Sequence, residues 1–584
     1  WYTAPMRAAH DDVRTLRLYL DRVVGSTGER VAWPAASFQQ PRFLTDFRPV
    51  DVPAYRQSLF AVTPYVSGVY DNVRGRSHFQ QGADILWKPN GQFQLTAALN
   101  PDFGQVESDD LVVNFGATET YVSDKRPFFT ENQGIFDFGL LDDNSQLVYT
   151  RRVGGPSDDG SGAANINAAV KLNGSVGSTS YGLLAADEAG EAGRLFGAAR
   201  LTHDFGDQSL GMMLTRVDHP WLDRQANVLG VDHHWRPTDR LTIATNVVGS
   251  DIRQHGDHVR DSGGTLVADY QMDDGWRQQW LGMHFGDQLQ LNDFGYLSRN
   301  NFNYGHWEVR KRHTGLPADS AYSSHEWRFR IDGLDNDHGL RLRRQLRISR
   351  RSGLRNGGSE DIQLNLNSAG WDDLLTRGNG ALFLPPTLDL AFDRSSPRHG
   401  DWAWKVRGEL LSGGLSGNRR MGYNIEFTPT YFVSDAFSIY AGPYYERTPD
   451  WLVWQHDNLI GRFDEKALQL NAGFDWQIGS HQQLRMKLQA IGLNARVEGA
   501  YHVGVNGRAV ASNDPVDDFS LRNLGLQIRY RYELAPLSYL YIVYGRGGYA
   551  LDNYGGNSRE LFGRSFSLRD EEQLLVKLSY RFDI

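Results

Sequence analysis

Acidic side chains are concentrated between residues 100 and 145, together with two adjacent basic residues. Oxygen ligands at this density could bind Ca²⁺. The favoured alternative is structural: the carboxylates pair with arginines on neighbouring elements and hold this stretch in place. We therefore predict no metal site here. The charged residues are Asp102, Glu107, Asp109, Asp110, Glu119, Lys125, Arg126 and Glu131.

Arginines recur at every second position in three later stretches, where apolar or aromatic residues such as Trp327, Phe329 and Ile331 separate them. Alternate residues of a strand share one face, so these arginines would line one wall. Such a wall raises the local concentration of anions. The alternative is an ordinary charged surface whose arginines are matched by the acids of residues 100–145. The arginines are Arg310, Arg312, Arg328, Arg330, Arg341, Arg343 and Arg347.

Motifs that would support catalysis are not found in the sequence. It contains neither a G-x-S-x-G elbow nor an H-E-x-x-H pair. Its loosely grouped histidines have no helix to fix their spacing, so zinc is not predicted. We predict no catalytic residue and no cofactor, and a hydrolase with Ser, His and Asp on its outer rim stays an open alternative. The histidines are His219, His233, His234, His255 and His258.

Strands must position most of these residues, because polarity alternates with a period of two from residue 57 to the end of the chain. The last stretch is the clearest example, and it has the length of about nine to eleven residues that crosses a bilayer at a tilt. Similar alternation covers residues 93–99, 468–478, 484–489 and 524–532. In the last stretch, Leu574, Val576, Leu578, Tyr580 and Phe582 share one face, and Lys577, Ser579, Arg581 and Asp583 share the other.

The composition favours an all-β transmembrane barrel over a soluble sandwich. Mean hydropathy is −0.50, and no apolar run approaches the ~18 residues of a spanning helix. This mean hydropathy looks too low for a membrane protein. A barrel explains it, because every second residue faces a wet lumen. The many Arg, Lys and Gln side chains on one face suit that lumen. We count about 26 segments and predict one closed antiparallel barrel, within a range of about 24 to 28 strands.

Several other classes of protein are excluded or disfavoured. The chain has no cysteine and hence no disulfide framework. A net charge of −9 argues against a nucleic-acid partner. No repeat of about 40–50 residues supports a propeller. Trp1 opens the chain without a secretory signal, so we expect a mature form or a fragment.

Two stretches break the strand rhythm and define the predicted domain organisation. Residues 1–50 contain a basic and apolar segment (13–24) and the start of a proline-rich run (34–53), which we interpret as the end of another domain and a linker. Residues 51–584 would form the barrel. Within it, residues 100–145 are too long and irregular for a turn, so we predict an inward-folded plug or constriction. Phe103, Phe128 and Phe129 would be its small core.

A sequence block at residues 100–129, NPDFGQVESDDLVVNFGATETYVSDKRPFF, resembles a family of large outer-membrane proteins of unknown function. In that family a carbohydrate-binding-family-9-like β-sandwich precedes a C-terminal barrel. Weaker similarities lie at Pro64 and Tyr65, at residues 536–544, and at Arg22 and Trp33, which resemble the end of the sandwich. We expect the rest of the sandwich to lie outside this chain. Within the block, the matching positions are Asn100, Pro101, Asp102, Phe103, Gly104, Gln105, Val106, Glu107, Asn114, Glu119, Lys125, Arg126, Pro127, Phe128 and Phe129.

Three functions remain open at this point. We rank first a plugged or gated conduit for a large or anionic solute, including saccharide-linked or secreted material. A sealed barrel that anchors a sugar-binding domain or docks partner proteins ranks second, and an outer-membrane hydrolase third. We expect the outer membrane of a Gram-negative bacterium as the location. Lipid and lipopolysaccharide are the expected partners, with a periplasmic or surface protein and a saccharide as further candidates.

Overall fold

The computed structural model describes residues 13–23, 30–34, 47–53, 58–104, 106–140, 144–553 and 555–584. Trp1, Val24, Gln105, residues 141–143 and part of the predicted linker lie outside this description. No helix in the described part of the chain has the length and apolar character needed to cross a membrane.

Four short strands precede the barrel and pair only with each other. The first pairs with the fourth, and the second pairs with the third, in both cases antiparallel. Whether they are the end of a sandwich domain stays a prediction. They are β1 (Val13–Leu18), β2 (Leu20–Val23), β3 (Arg30–Trp33) and β4 (Arg48–Pro53).

The first part of the barrel is a continuous series of hairpins. Each strand from β6 onward is antiparallel to its predecessor, with long connections after β7 and after β15. The strands are β5 (Leu59–Asp71), β6 (Arg76–Asn90), β7 (Phe93–Leu99), β8 (Ile166–Val176), β9 (Thr179–Glu188), β10 (Leu195–Asp204), β11 (Gln208–His219), β12 (Arg224–Thr238), β13 (Leu241–Gln254), β14 (Asp257–Gln271), β15 (Trp276–Phe285), β16 (Phe302–His313), β17 (Tyr322–Asp335), β18 (Arg341–Leu354) and β19 (Ser359–Asn367).

The second part has longer strands and returns to the first. A side hairpin, β20 (Gly370–Asp372) with β21 (Leu382–Leu384), forms a separate sheet that is not part of the ring. The remaining strands are β22 (Thr387–His399), β23 (Trp402–Gly413), β24 (Gly417–Ser434), β25 (Phe437–His456), β26 (Leu459–Ile478), β27 (Gln482–Val503), β28 (Ala509–Ser512), β29 (Phe519–Ala535), β30 (Ser538–Asp552), β31 (Glu571–Ser579) and β32 (Phe582–Asp583).

The ring closes through the first and last strands, as predicted for residues 59–70 and 574–582. Val576 pairs with Gly68, and Phe582 pairs with Val62. Since β28 only extends one hairpin and β32 continues β31, the closed barrel has 24 strands. That number is at the lower end of the predicted range, and the central estimate of 26 was too high.

The connections differ at the two ends of the barrel. At one end tight turns join the strands, for example at residues 177–178 and 435–436, and β5 begins there. We call this the short-turn end. The opposite, long-loop end carries residues 100–165, 286–301 and the helix α2 (Ser558–Ser565). Short 3-10 turns occupy Gln133–Phe136, Thr150–Arg152, Pro220–Leu222 and Asp273–Gly275.

Alternation along each strand places apolar residues on the outside. One outward row runs across neighbouring strands through Phe474, Met486, Ile528, Tyr544 and Leu574, as the registers require. Such a continuous apolar exterior is what a lipid environment demands of a barrel. The predicted strands and their outward faces are therefore confirmed.

Candidate functional site: the segments inside the barrel

The connection between β7 and β8 is far longer than any turn and is here called the lumenal segment (residues 100–165). It extends beyond the predicted boundary at residue 145. It contains the short helix α1 (Pro127–Thr130). Its contacts are with inward-facing side chains of strands on two sides of the ring, and three parts of it are held in different ways.

The first part of the lumenal segment is attached to β27, β29 and β31 by polar contacts. Lys577 donates a hydrogen bond to the carbonyl of Asp102. Gln527 donates to the carbonyl of Val106 (3.1 Å) and accepts from the amide of Ser108 (3.1 Å). These side-chain amides and amines satisfy the backbone of an extended chain that has no strand partner of its own.

Lys487 is a second attachment point on the wall. Its amine donates to the carbonyl of Ser108 (2.8 Å) and lies 2.7 Å from a carboxylate oxygen of Asp110. The hydrogen bond from Lys487 holds the pKa of Asp110 below its usual value. Glu107 lies at the edge of the same contact, 4.0 Å from the amine.

The middle of the segment inserts apolar side chains among aromatic wall residues. The Phe115 ring packs edge-on against Trp451, with centroids 5.3 Å apart, and lies 5.2 Å from Phe519. Leu111 and Val113 pack into the same cluster, whose fully buried members include Phe463. The middle part is therefore anchored by burial as well as by hydrogen bonds.

The last part of the segment forms a hydrophobic core together with the wall. Phe128 and Phe129 are buried, as predicted, and Phe103 packs against them at 6.0 Å from Phe129. This core is much larger than the predicted one. It includes wall residues of β8–β15 and a second inward loop, residues 286–301. Further members from the two loops are Phe136, Phe138, Leu140, Leu147, Leu289, Leu291 and Phe294.

Two wall glycines allow this core to approach the strands. A Cβ atom at Gly230 would lie 2.6 Å from Phe138 and 2.7 Å from Leu147. One at Gly182 would lie 3.0 Å from Ile135. The segment thus lies directly on the backbone of β9 and β12, with no room for a larger wall residue.

The lumenal segment and the second loop are also paired with each other. Gln146 and Tyr296 exchange two backbone hydrogen bonds of 3.0 and 2.9 Å. The Tyr296 hydroxyl donates to the carbonyl of Glu119 (2.7 Å), and Arg152 binds the Glu119 carboxylate through two bonds of 2.8 and 2.7 Å. The two loops therefore form one unit.

Arg126 organises the turn before α1. Its buried guanidinium donates to the carbonyls of Val153 and Thr150 and to the carboxylate of Asp124, and it lies 4.2 Å above the Phe129 ring. Burial raises the pKa of Asp124, but the bonds from Arg126 and Thr150 outweigh this and lower it.

Two further predicted charges of the segment, Asp109 and Lys125, are paired locally. Asp109 forms an ion pair with Arg151, and Lys125 lies 3.9 Å from Asp109. Lys125 also donates to the carbonyl of Ser108. These carboxylates thus lie beside basic residues, as the pairing interpretation expects. Most of these basic partners are within the segment itself or on β27.

The predicted partnership between these acids and the arginine wall is wrong. The arginines of β16–β18 face inward, as their alternation indicates, but wall carboxylates neutralise several of them. Glu308 binds both Arg310 and Arg330, Glu326 binds Arg328, and Asp332 lies 3.6 Å from Arg343. Neighbouring strands supply counter-charges more readily than a distant loop does.

Two further arginines of the wall, Arg347 and Arg341, differ from these in their surroundings. Arg347 donates to Asn365 and Gln345. Arg341 stands at the end of β18 opposite Asp335. Because the face carries more arginines than carboxylates, including Arg312, it keeps a positive surplus.

A family model described as "Domain of unknown function (DUF5916)" matches residues 57–176 and 206–584, well over half of the chain. The chain belongs to this family. The DUF5916 match confirms the resemblance to a family of unknown function that we inferred from residues 100–129. It does not include the sandwich domain, whose carbohydrate-binding character stays a prediction.

Solved structures resemble the DUF5916 chain at low sequence identity. The siderophore receptor PirA from Pseudomonas aeruginosa is 9% identical, with coverage of 71% of this chain and 87% of that one and a TM-score of 0.37. The ferric citrate transporter FecA is 7% identical, with coverage of 91% of this chain and 80% of that one and a TM-score of 0.34. Pseudomonas aeruginosa OpdQ is 8% identical, with coverage of 91% of this chain and 98% of that one and a TM-score of 0.28. No curated protein sequence is significantly similar to the DUF5916 chain.

Proposed function

We propose that the protein is a gated conduit of the bacterial outer membrane, closed by the lumenal segment and the second loop. The observation that carries this proposal is the unequal attachment of the segment. Residues 101–110 are held mainly by side-chain hydrogen bonds from β27, β29 and β31, whereas residues 126–153 share a hydrophobic core with β8–β15. A stretch held by polar bonds can exchange them for water. A buried Phe costs about 1.5–3 kcal/mol to expose.

Opening in this proposal moves the polar stretch and leaves the core in place. Next to β22–β26 the lumen stays wet, because inward-facing Lys405 and Arg407 keep 38% and 55% of their side chains exposed. Release of residues 106–110 would widen this wet side, while Phe103, Leu111 and Phe115 keep their apolar contacts. The second loop and the Phe core would remain as a fixed lining.

The membrane orientation follows from the loop lengths. Outer-membrane barrels have short periplasmic turns and longer external loops. We therefore assign the long-loop end to the cell surface and the short-turn end, where β5 begins, to the periplasm. Lipid would contact the apolar exterior, and lipopolysaccharide would meet it near the long-loop end.

The class of solute is inferred from the arginine wall. The positive surplus on β16–β18 favours a solute with anionic groups. A wide 24-strand lumen suits a large solute, such as saccharide-linked or secreted material. No catalytic role is proposed.

Planar-bilayer recordings test the conduit. Lys487→Met combined with Gln527→Leu removes two attachments of the polar stretch without touching the core. We expect longer or more frequent openings than in the unaltered protein. Lys405→Met is the matched control, since this inward lysine pairs with Asp393 on the wall (3.1 Å). Heat-modifiable electrophoretic mobility would show that each barrel is folded.

A sealed anchor is the second candidate, and the large hydrophobic core favours it. Phe129, Phe138, Phe196, Phe285 and Phe294 are each at most 1% exposed, which is typical of a permanent interior. In that case the barrel would present a partner protein or a sugar-binding domain. Unchanged, negligible conductance in the Lys487 and Gln527 double variant would favour the anchor and overturn the conduit.

A further inference from the structure

A cavity of about 610 Å³ lies inside the barrel between the lumenal segment and the wall made by β24–β27. Its size falls in the range of small-molecule sites in proteins. One side is formed by Asp110, Leu111 and Val113 of the segment. The opposite side belongs to the wall, so a molecule in the cavity would touch both.

Two wall carboxylates in the cavity have no cationic partner within the described part of the chain. Glu446 accepts hydrogen bonds from the Tyr444 hydroxyl (2.8 Å) and the Thr448 hydroxyl (3.1 Å). Glu465 accepts one from the Thr448 amide (3.2 Å), through a single oxygen, although its side chain is only 4% exposed. Elsewhere on the inner wall, the similarly buried Glu308 binds two arginines.

A third carboxylate adds to the negative charge of the same cavity. Glu426 accepts from the Thr428 hydroxyl at 3.0 Å, and its nearest cation is the Arg407 guanidinium, at 3.6 Å on the adjoining strand. Buried charge of one sign is costly unless an opposite charge balances it. A cation bound on the wall side of the cavity would balance this charge.

Part of the lining is apolar. Trp451, Ile491 and Leu493 form one side with Leu111. This combination does not suit a bare metal ion, and the described residues contain no group of three or more His or carboxylate side chains placed to hold one. An apolar surface beside unpaired carboxylates instead suits a molecule with an ammonium group and a hydrocarbon or aromatic body.

We propose that this cavity binds an organic amine, whose ammonium group pairs with Glu446 and Glu465 and whose apolar part lies against Trp451 and Leu111. The site does not depend on the conduit proposed above. It lies on a different part of the lumen wall from the arginines of β16–β18. A bound amine would also bridge the wall and the lumenal segment through Leu111.

Isothermal titration of the full chain in detergent tests this site with two probes, tryptamine and hexylamine. Tryptophol, the uncharged analogue of tryptamine, is the ligand control. We expect saturable binding of at least one amine and none of tryptophol. Glu446→Gln with Glu465→Gln should weaken amine binding by about tenfold or more. Asp475→Asn should not, because this inward carboxylate pairs with Arg485 (2.6 Å) outside the cavity.

Failure of both amines to bind the folded protein would overturn the proposal. Equal affinity in the double glutamate variant would do the same, because binding would then be elsewhere. If the double variant does not fold, Glu446→Gln alone serves, since Glu446 is less buried than Glu465. Either outcome leaves the bilayer recordings unaffected, so the two proposals can fail separately.

Discussion

Asp293 is the residue that fixes the second loop to the barrel rim. Its carboxylate accepts hydrogen bonds from Arg224 (2.7 and 2.8 Å) and lies 3.0 Å from His219. His219 also contacts Asp158 of the lumenal segment at 2.8 Å. A single imidazole thus stands between the two loops, and each loop contributes one carboxylate.

The charge state of Asp293 sets a pH dependence. Burial raises its pKa, but the bonds from Arg224 and His219 outweigh this, so the pKa lies well below its usual value. A carboxyl with a depressed pKa stabilises the folded state above its ordinary pKa, which is about 3.9 in unfolded chains. The contribution is lost only as pH falls through the lower, folded value. The loop should therefore stay attached at mildly acidic pH.

Asp293→Asn should loosen the second loop at neutral pH. We expect local opening of residues 286–301 to become easier by on the order of 1–3 kcal/mol, because Arg224 loses its buried counter-charge. Hydrogen–deuterium exchange of this loop measures the effect. Asp287→Asn, in an exposed part of the same loop, is the control. Equal exchange in the Asp293 variant and the unaltered protein would show that the ion pair does not hold the loop.

The residues of the site were only partly predictable from the sequence. Phe128 and Phe129 could be identified because they are large apolar residues in a stretch without strand alternation. Lipid contact could not explain them there, so burial within the segment was the expected reason. The partner of Glu119 could not, since Arg152 lies 33 residues further along the same segment and reaches Glu119 only through the way that segment folds. The sequence also could not show that Glu446 and Glu465 lack a cationic partner, because this depends on which strands are neighbours in the barrel wall.

At the element scale, the contact between the lumenal segment and β9 can be tested with a disulfide. A Cβ atom at Gly182 would lie 3.0 Å from both γ-carbons of Ile135, which places the two β-carbons near the distance a disulfide requires. The chain has no cysteine of its own. Ile135→Cys with Gly182→Cys should cross-link on mild oxidation, and mass spectrometry of the linked peptides measures it.

Each single cysteine variant controls for intermolecular linkage. A folded double variant that stays reduced under the same oxidation would contradict the packing of Ile135 on the wall. The fold of both variants can be followed by electrophoretic mobility before and after heating.

The outward register of the strands makes a second prediction at this scale. Met486 faces lipid between two inward basic residues, Arg485 and Lys487. Met486→Arg should destabilise the barrel by about 2–4 kcal/mol in lipid vesicles, because the charge would meet hydrocarbon. Asn471→Arg, an inward and exposed position on the adjacent strand, should cost much less. Urea-dependent folding measures both, and equal costs would reject the register.

Strands were predictable because lipid enforces a strict alternation, and β16–β18, β26, β27, β29 and β31 follow it. The inner hydrophobic core was not predicted. One signal was present: β9, β10, β11 and β13 each contain two consecutive large apolar residues, as in Leu195–Phe196 and Met212–Met213. In each pair one residue is exposed outside and the other is buried inside. Consecutive apolar residues in a barrel strand therefore indicate a filled lumen on that side.

For the whole molecule, the ring of 24 strands divides its interior into unlike regions. The inner wall of β8–β15 contributes to a hydrophobic core that it shares with the two loops. The wall of β16–β18 is rich in arginine, and β25 and β26 carry two carboxylates, Glu446 and Glu465, that have no cationic partner within the described part of the chain. The chain length and the alternation indicated a wide ring. The number of strands could not be fixed, because some short segments, such as β32, extend the strand before them and do not add a new one.

We propose that the loops, and not the strands, keep the lumen closed. Single-channel conductance of a protein lacking residues 116–139 tests it most directly. This deletion removes α1, Phe136 and Phe138, while every spanning strand keeps both neighbours. We predict a folded barrel with higher conductance than the intact protein. Equal conductance of the intact and shortened proteins, with both shown to be folded, would contradict the claim.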